Sequence, residues 1–419
     1  MEYLEINGGK PLRGNVDISG SKNATFPILA SCLVIEGKCK ISNAPNIIDV
    51  TSFIDQIRKI GVYVKMEGNE IEIDASSNFR TEIPPEEAAN IRGSQTFLGA
   101  FIAKEREASI PNLGGCNIGK RPIDQHIKGL KSLGAEITWE HGILKAHVPK
   151  KLKGTRIFLD YPSVGATENI ILAALFAEGE TVIENAAREP EIKDMIDFLN
   201  KAGAKITLNG SGNTIKIEGG KKLKPIEYAI IPDRIEASTY LILGAITKGK
   251  ITVKKVQPKH LEAVIMKLKE IGLDLKVTDD TITITYKDQF SGTTIKTMPY
   301  PGFPTDVQSQ MLTLLTISKG TSVITETVFE NRFRIVDDLI KMGANIRLED
   351  KSAFITGVSE LKSSITTATD LRGGMSLVLA SLSAKGISKV FDPIHIDRGY
   401  EEYIKKIKKL GGEIERKNA

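Results

Sequence analysis

Residues 111–126 form the segment with the strongest potential for chemistry in this 419-residue sequence. Three glycines surround Cys116 and give the segment a backbone that can turn sharply. Lys120 and Arg121 follow the cysteine closely, and nearby cations stabilise a thiolate, so Cys116 is a candidate reactive group. A basic surface loop with an incidental cysteine explains the same residues. Residue types alone leave both interpretations open.

Cations recur at the predicted starts of helices, where their charge has the wrong sign for helix stability. The positions are Lys22, Arg92, Arg121, Arg372 and Arg398. A helix start presents free N–H groups and the positive end of the dipole, which together favour an anion. One or two such cations fit a solvated surface, whereas this recurrence indicates an anion-binding site.

Two aspartates, Asp306 and Asp370, also stand at predicted helix starts. A carboxylate at such a place commonly caps the helix or interacts with its dipole. The pattern alone therefore predicts a helix-start carboxylate at both positions.

A unit that recurs six times, at intervals of about 70 residues, positions all of these side chains. In each unit a second helix ends at a glycine, the usual left-handed stop: Gly61, Gly134, Gly203, Gly272, Gly343 and Gly411. A first helix ends at Gly37, Gly179, Gly249, Gly320 and Gly386, with Arg106 at the matching place of the second unit. Alternating segments follow, so each unit is predicted as helix, strand, helix and β-hairpin.

The two ends of the chain each carry a strand-like run without a partner in its own unit. We expect residues 3–6 to pair with residues 413–415, since unpaired strand edges are a liability. The chain would then cross between domains near Gly20 and Pro232. The predicted fold class is α/β, with one domain of residues 22–231 and another of residues 1–21 and 232–419. Each domain contains three units, and a cleft lies between the domains.

Composition excludes several classes of function. The 57 basic and 52 acidic residues give a net charge of +5, which suits a small anionic substrate better than nucleic acid. Three cysteines without a Cys-x-x-Cys motif predict neither disulfides nor a zinc site, and favour a reducing cytoplasm. Apolar runs are too short for a bilayer, and the charged N-terminal residues do not resemble a signal peptide. Motifs for nucleoside triphosphates, dinucleotides and zinc hydrolysis are absent, so we expect no cofactor and no metal.

Several longer motifs together resemble one family. They occupy residues 19–24, 114–126, 163–167, 184–190, 232–234, 303–306, 325–332 and 395–401. In this order they resemble the enolpyruvyl transferases, and among them the enzymes that use UDP-N-acetylglucosamine. The resemblance implies two inside-out α/β domains of three units each.

The resemblance also implies a reaction, the first committed step of peptidoglycan synthesis. The enolpyruvyl group of phosphoenolpyruvate passes to the 3′-hydroxyl of UDP-N-acetylglucosamine through a tetrahedral intermediate, and phosphate is released. These two molecules would be the partners, without nucleic acid or membrane insertion. Such a site needs cations for phosphate and carboxylate, a base for the hydroxyl and an acid for C3.

Matched onto this sequence, the family pattern gives each candidate residue a role. Lys22, Arg121 and Arg398 would bind phosphoenolpyruvate. Asp306 would be the base, and Cys116 would be the general acid and the residue alkylated by the epoxide phosphonate fosfomycin. Asp370 and Arg398 would act in closure over the substrates, and Arg372 would bind substrate beside them. The uridine nucleotide and its sugar would be held by Asn23, Arg92, Arg121, Pro122, Ile123, Asp124, Gln125, Ser163, Val164, Gly165, Asp306 and Val328.

Three departures from the family pattern concern nucleotide packing and helix stiffness. Thr96 stands where an aromatic residue is usual, Tyr161 where a lysine is frequent, and Gly373–Gly374 where Ala-Ser is frequent. Three alternatives stay open: the sister enzyme that acts on shikimate 3-phosphate, a catalytically silent paralogue, and an RNA-binding α/β repeat protein. The Cys116 loop disfavours the enzyme that acts on shikimate 3-phosphate, and the near-neutral charge disfavours an RNA-binding protein.

Overall fold

The computed structural model describes residues 2–83, 92–111, 119 and 122–418. The described residues separate into two compact units. The central unit contains residues 20–83, 92–111 and 122–231, and the terminal unit contains residues 2–19, 119 and 232–418. Each unit has its own apolar core.

The described residues form α-helices in both units. They are α1 Lys22–Cys32, α2 Ile48–Lys59, α3 Phe97–Glu105, α4 Asp124–Ser132, α5 Val164–Ala174, α6 Pro190–Lys201, α7 Arg234–Ile246, α8 Glu262–Glu270, α9 Gln308–Leu315, α10 Val336–Lys341, α11 Leu371–Ser383, α12 Ile394–Asp397 and α13 Tyr403–Lys409. Short 3₁₀ helices cover Arg92–Thr96, Pro258–Leu261, Thr305–Val307 and Arg332–Ile335.

The strands form six sheets within the described residues. They are β1 Glu2–Gly8, β2 Arg13–Asp17, β3 Lys38–Ser42, β4 Tyr63–Glu67, β5 Glu70–Asp74, β6 Glu107–Pro111, β7 Glu136–Glu140, β8 Ile143–His147, β9 Arg156–Phe158, β10 Glu180–Glu184, β11 Lys205–Leu208, β12 Thr214–Glu218, β13 Glu227–Ala229, β14 Lys250–Lys254, β15 Asp274–Val277, β16 Thr281–Thr285, β17 Thr294–Lys296, β18 Thr321–Thr325, β19 Asn345–Glu349, β20 Ser352–Thr356, β21 Ile365–Thr367, β22 Gly386–Phe391 and β23 Glu413–Asn418. The central unit has sheets β13-β3-β5-β4, β6-β8-β7 and β11-β12-β10-β9, and the terminal unit has β15-β16-β14-β2, β17-β18-β20-β19 and β21-β22-β1-β23.

Each unit places helices inside and sheets outside, and the sequence explains this arrangement. The first helix of each repeat is apolar nearly all round, and every residue of α7 is buried. Such a helix is stable only when other elements surround it. The strands alternate buried and exposed residues, so each sheet covers the helices with one face and meets solvent with the other. The predicted α/β class with six repeats is confirmed.

The predicted pairing of the chain ends is also confirmed. β1 pairs antiparallel with β23, with Ile6 opposite Ile414, and it pairs with β22 on its other side. The repeat contains one further strand that the prediction omitted. β9, β17 and β21 each run parallel to the next strand of their own repeat, whereas β2 pairs with β14 and β13 pairs with β3.

The glycine stops of the second helices are correct, since each glycine comes two residues after the last helical residue. The stops of the first helices are only partly correct. Arg106 adopts the left-handed conformation at φ 63°, as its place in the repeat predicts. Helices α1, α5 and α9, however, end at Cys32, Ala174 and Leu315. Gly37, Gly179 and Gly320 therefore each follow a further turn, and all three have a positive φ. The left-handed residue after α7 is Lys248, at φ 54°. Gly249 serves close approach instead, because a Cβ there would lie 1.9 Å from the Leu12 carbonyl oxygen. In the described part of the chain, no helix is long and apolar enough to cross a membrane.

Candidate active site

In the central unit, Lys22 begins α1 directly after its N-cap Ser21, whose hydroxyl accepts a hydrogen bond from the Ala24 N–H. The Lys22 ammonium lies 3.0 Å from Asp49 Oδ2, and the two side chains are only 14% and 5% exposed. Asp49 lies in the first turn of α2. This carboxylate fixes the direction of the ammonium while leaving a cation at the helix start. Asn23, the next residue, is half-buried.

Two further candidate site residues, Cys116 and Arg121, lie outside the described residues, so their roles stay predictions. Arg92 begins a 3₁₀ helix that leads into α3.

The start of α4 carries a network of polar side chains around Asp124 and Gln125. Asp124 accepts hydrogen bonds from the Tyr161 hydroxyl at 2.6 Å and from Gln125 Nε2 at 2.7 Å. Burial raises the pKa of Asp124, but these hydrogen bonds outweigh burial and lower the pKa below its usual value. Gln125 is buried and also bonds Asp160 through both its amide nitrogen and its amide oxygen. Pro122 and Ile123 precede the helix and are exposed and half-buried, respectively.

The start of α5 brings Ser163, Val164 and Gly165 beside α4. The Ser163 hydroxyl caps the helix by accepting from the Ala166 N–H at 3.4 Å. Gly165 packs against His126, since a Cβ there would lie 2.9 Å from the imidazole Cε1. Only glycine therefore lets the two helix starts come this close.

Asn169 joins these elements from inside the central unit. It is fully buried, and its Nδ2 lies 3.0 Å from each of three acceptors: Gln95 O, Gly165 O and His126 Nδ1. Its Oδ1 accepts from the Gly99 N–H. Burial lowers the pKa of His126 to about 4, so the imidazole is neutral near neutral pH.

In the terminal unit, Asp306 lies between two buried guanidinium groups. Its Oδ1 accepts from Arg332 Nη2 at 2.8 Å and from Arg372 Nε at 3.3 Å. The arginine side chains are 4% and 3% exposed, whereas the Asp306 side chain is 27% exposed. The two cations favour the ionised carboxylate, which is the form that can accept a proton. Asp306 therefore does more than a helix-start carboxylate does.

Arg372 keeps unused hydrogen-bonding capacity although it is buried. Burial opposes its charge, but Tyr400 and the carboxylates of Asp306 and Asp233 raise the pKa of Arg372 above its ordinary value. Its Nη1 has no hydrogen-bond partner among the residues that the structure describes. A buried charged donor without a partner is costly, so an anionic ligand at this atom would stabilise the site.

Asp370 is a helix-start carboxylate, as the sequence pattern alone predicts. Its Oδ1 accepts from the N–H groups of Arg372 and Gly373, at 3.0 Å each, and thereby caps α11. The same oxygen lies 3.9 Å from Arg332 Nη1. Asp370 therefore also holds the position of Arg332.

Val328 lies in a loop that Glu326 organises. The buried Glu326 Oε1 accepts from Val328 N at 2.7 Å, from Phe329 N at 3.1 Å and from Thr297 Oγ1 at 2.8 Å. Its Oε2 accepts from Thr305 Oγ1, next to Asp306, at 2.9 Å. One carboxylate thus fixes both the Val328 loop and the segment that carries the candidate base.

Arg398 directly follows α12 and is half-buried. The structure brings Asp306, Asp370 and Arg372 together in the terminal unit, and Asp124, Gln125 and Gly165 together in the central unit. Sequence reasoning missed Arg332, Glu326 and Asp49. A signal existed for Arg332 and Glu326, since both fall within the motif of residues 325–332.

No group of His, Cys, Asp or Glu within the described ranges is arranged to hold a metal ion. The central unit offers a cation at a helix start, and the terminal unit offers a carboxylate between two guanidinium groups and an available charged donor. These groups suit acid–base chemistry on an anionic substrate.

Comparisons with known proteins cover nearly all of the chain. A family model described as EPSP synthase (3-phosphoshikimate 1-carboxyvinyltransferase) matches residues 6–407. The chain is 48% identical over 417 residues to UDP-N-acetylglucosamine 1-carboxyvinyltransferase 2 of Caldanaerobacter subterraneus subsp. tengcongensis, with 99% of this chain and 100% of that protein covered. It is 47% identical over 414 residues to UDP-N-acetylglucosamine 1-carboxyvinyltransferase of Halothermothrix orenii, with 99% of each covered.

Solved structures share the fold. The enolpyruvyl transferase NikO from Streptomyces tendae matches with a TM-score of 0.90 and 24% identity, over 100% of this chain and 99% of that chain. EPSP synthase from Acinetobacter baumannii matches with a TM-score of 0.78 and 20% identity, over 100% of both chains.

Proposed function

Because the chain belongs to the UDP-N-acetylglucosamine 1-carboxyvinyltransferases of the EPSP synthase family, we propose that it transfers the enolpyruvyl group of phosphoenolpyruvate to UDP-N-acetylglucosamine. The observation that carries this proposal at the level of residues is the Asp306 carboxylate between Arg332 and Arg372, with Arg372 Nη1 available for an anion. We further propose residues 22–231 as one functional domain, and residues 1–21 with 232–419 as the other.

The first step adds the sugar to phosphoenolpyruvate. Asp306 accepts the proton of the 3′-hydroxyl, and the oxygen forms a bond to C2. The C2–C3 double bond opens, and C3 takes a proton from Cys116. The product of this step is a tetrahedral intermediate that still carries its phosphate.

The second step eliminates phosphate. C3 returns a proton to the Cys116 thiolate, the double bond re-forms between C2 and C3, and the C2–O bond to phosphate breaks. The proton that Asp306 took in the first step leaves with phosphate. Lys22, Arg121 and Arg398 stabilise the charge of phosphate and carboxylate during both steps. The products are the enolpyruvyl ether of UDP-N-acetylglucosamine and inorganic phosphate.

The nucleotide occupies the helix starts that carry Asp124, Gln125, Ser163 and Gly165. Free N–H groups at the start of α5 suit a diphosphate. Pro122, Ile123, Val164 and Val328 supply apolar contacts, while Arg92 and Asn23 complete the polar contacts to the nucleotide and its sugar.

Phosphate release from phosphoenolpyruvate tests the proposal. The purified protein is assayed with UDP-N-acetylglucosamine, with shikimate 3-phosphate, and without an acceptor. Release that depends on UDP-N-acetylglucosamine supports the proposal. Release only with shikimate 3-phosphate would make the chain a sister enzyme, and no release in any arm would indicate a silent paralogue.

A further inference from the structure

Behind Asp306 and Arg372, the terminal unit buries a group of polar side chains that the mechanism above does not use. Thr239 lies on α7, Gln310 on α9 and Tyr400 after α12. Each of the three residues is at most 1% exposed. The Tyr400 hydroxyl lies 3.0 Å from Thr239 Oγ1, and Gln310 Nε2 donates to both oxygens, at 3.1 and 3.2 Å. We call these three residues the Tyr400 cluster.

The hydrogen bonds of the Tyr400 cluster have a fixed direction. A threonine hydroxyl has one proton, and that of Thr239 is donated to the Ile235 carbonyl at 2.8 Å. Thr239 Oγ1 therefore accepts from Tyr400, and this bond uses the single proton of the Tyr400 hydroxyl. The Tyr400 oxygen in turn accepts from Gln310 Nε2 at 3.1 Å, so two neighbours hold the hydroxyl in place.

The ring that carries this hydroxyl lies beside the Arg372 guanidinium. Arg372 Cζ lies over the Tyr400 ring, 5.4 Å from its centre, in a cation–π contact. Arg372 is thus held by Asp306 Oδ1, which accepts from its Nε at 3.3 Å, and by the face of the Tyr400 ring. A guanidinium fixed in this way keeps Nη1 in one direction.

The same segment also positions Arg398. Gly399 packs against α11, because a Cβ there would lie 2.6 Å from Leu371 Cδ2. Tyr400 follows at once and is 1% exposed. Residues 398–400 are therefore docked onto the first turn of α11, the turn that carries Arg372.

We propose that Tyr400 is a positioning residue for the reaction: its ring, anchored through its hydroxyl by Thr239 and Gln310, holds the Arg372 guanidinium and so aligns Arg372 and Arg398 toward phosphoenolpyruvate. The inference rests on the proposed function for the identity of the anion. It assigns to Tyr400 no contact with substrate.

Tyr400→Phe tests the inference, because it removes the hydroxyl and keeps the ring. Loss of the two hydrogen bonds that anchor the ring lets the ring shift under Arg372, so the KM for phosphoenolpyruvate should rise about tenfold or more. The KM for UDP-N-acetylglucosamine should change less than about twofold, since this change does not touch the nucleotide residues. Protection of the protein from thermal unfolding by phosphoenolpyruvate should weaken in parallel.

Tyr403→Phe is the matched control. Tyr403 is also a buried tyrosine of the terminal unit, and its hydroxyl accepts from an arginine, Arg416, at 3.3 Å. This variant should keep the wild-type KM for phosphoenolpyruvate. An equal rise in both variants would overturn the inference, because it would show general loosening of the unit.

Thr239 provides a second test that does not alter Tyr400. Thr239→Val removes the acceptor of the Tyr400 proton and should raise the KM for phosphoenolpyruvate. Thr239→Ser keeps a hydroxyl at this place, so its KM should stay at the wild-type value. If the wild-type protein turns over UDP-N-acetylglucosamine and neither Tyr400→Phe nor Thr239→Val changes this KM, the positioning role is wrong and the proposed function stands. If the wild-type protein releases no phosphate, the proposed function itself fails.

Discussion

His126 should make the stability of the central unit depend on pH, and the size of this effect follows from its surroundings. The imidazole is 4% exposed, and its Nδ1 accepts from Asn169 Nδ2 at 3.0 Å. An amide nitrogen is a donor, so the ring is neutral with its proton on Nε2. Burial lowers the pKa of His126 from 6.5 to about 4, although the charge of Asp124 opposes this shift.

The sign of the effect follows from the two pKa values. Above pH 6.5 the imidazole is neutral in both the folded and the unfolded chain, so its contribution to stability is fully present. As the pH falls toward 4, the unfolded chain binds a proton that the folded chain refuses, and the contribution is lost. At about 1.4 kcal/mol per pKa unit, the loss reaches roughly 3 kcal/mol.

His126→Asn removes the titration and retains an acceptor close to the place of Nδ1. The free energy of urea unfolding is measured for both proteins at several pH values between 7.5 and 4.5. We expect the wild-type protein to lose about 2 to 3 kcal/mol more than the variant over this range. Subtracting the free energies of unfolding of the two proteins cancels the contribution of other titrating groups. One such group is Asp194, whose pKa burial raises to about 6. Parallel curves for the two proteins would refute a buried neutral imidazole.

Three further predictions concern the reaction. Asp306→Asn keeps the shape of the side chain but loses the base, so kcat should fall by about 10² or more with little change in nucleotide affinity. Near-native turnover of this variant would mean that Asp306 is only a helix-start carboxylate. Glu326→Gln removes the acceptor for Thr305 Oγ1 and should raise the KM for UDP-N-acetylglucosamine about threefold or more in steady-state assays; an unchanged KM would separate the Val328 loop from nucleotide binding. Fosfomycin should alkylate Cys116 and spare Cys39, because Cys39 is buried, although a hydrogen bond with the Cys32 thiol lowers the pKa of Cys39 to about 7. Peptide mass mapping that places the adduct on Cys39 would contradict this assignment.

The repeat could be predicted from sequence because its signals are local. A glycine after each helix and alternating residues in each hairpin are visible within a few positions, and the same logic placed Arg106 in the left-handed region. The pairing of β1 with β23 also followed, since each was a strand without a local partner.

The features that the sequence did not predict depend on partners that are distant along the chain. Three-residue strands such as β9 are too short to show alternation, and only their pairing with a neighbour identifies them. At Gly249, the approach of the Leu12 backbone determines the residue, and no nearby sequence reveals it. The polar surroundings of the candidate base are of the same kind, because the role of Arg332 is set by Asp306, which lies 26 residues earlier in the chain.

The product of the reaction tests the central claim most directly. The purified protein is incubated with phosphoenolpyruvate and UDP-N-acetylglucosamine, and the nucleotide sugar is recovered and analysed by mass spectrometry and NMR. The account predicts one enolpyruvyl group attached as a vinyl ether at the 3′-oxygen, formed together with an equal amount of inorganic phosphate. Unmodified UDP-N-acetylglucosamine recovered while phosphoenolpyruvate is consumed, or enolpyruvyl groups on any other oxygen, would contradict it.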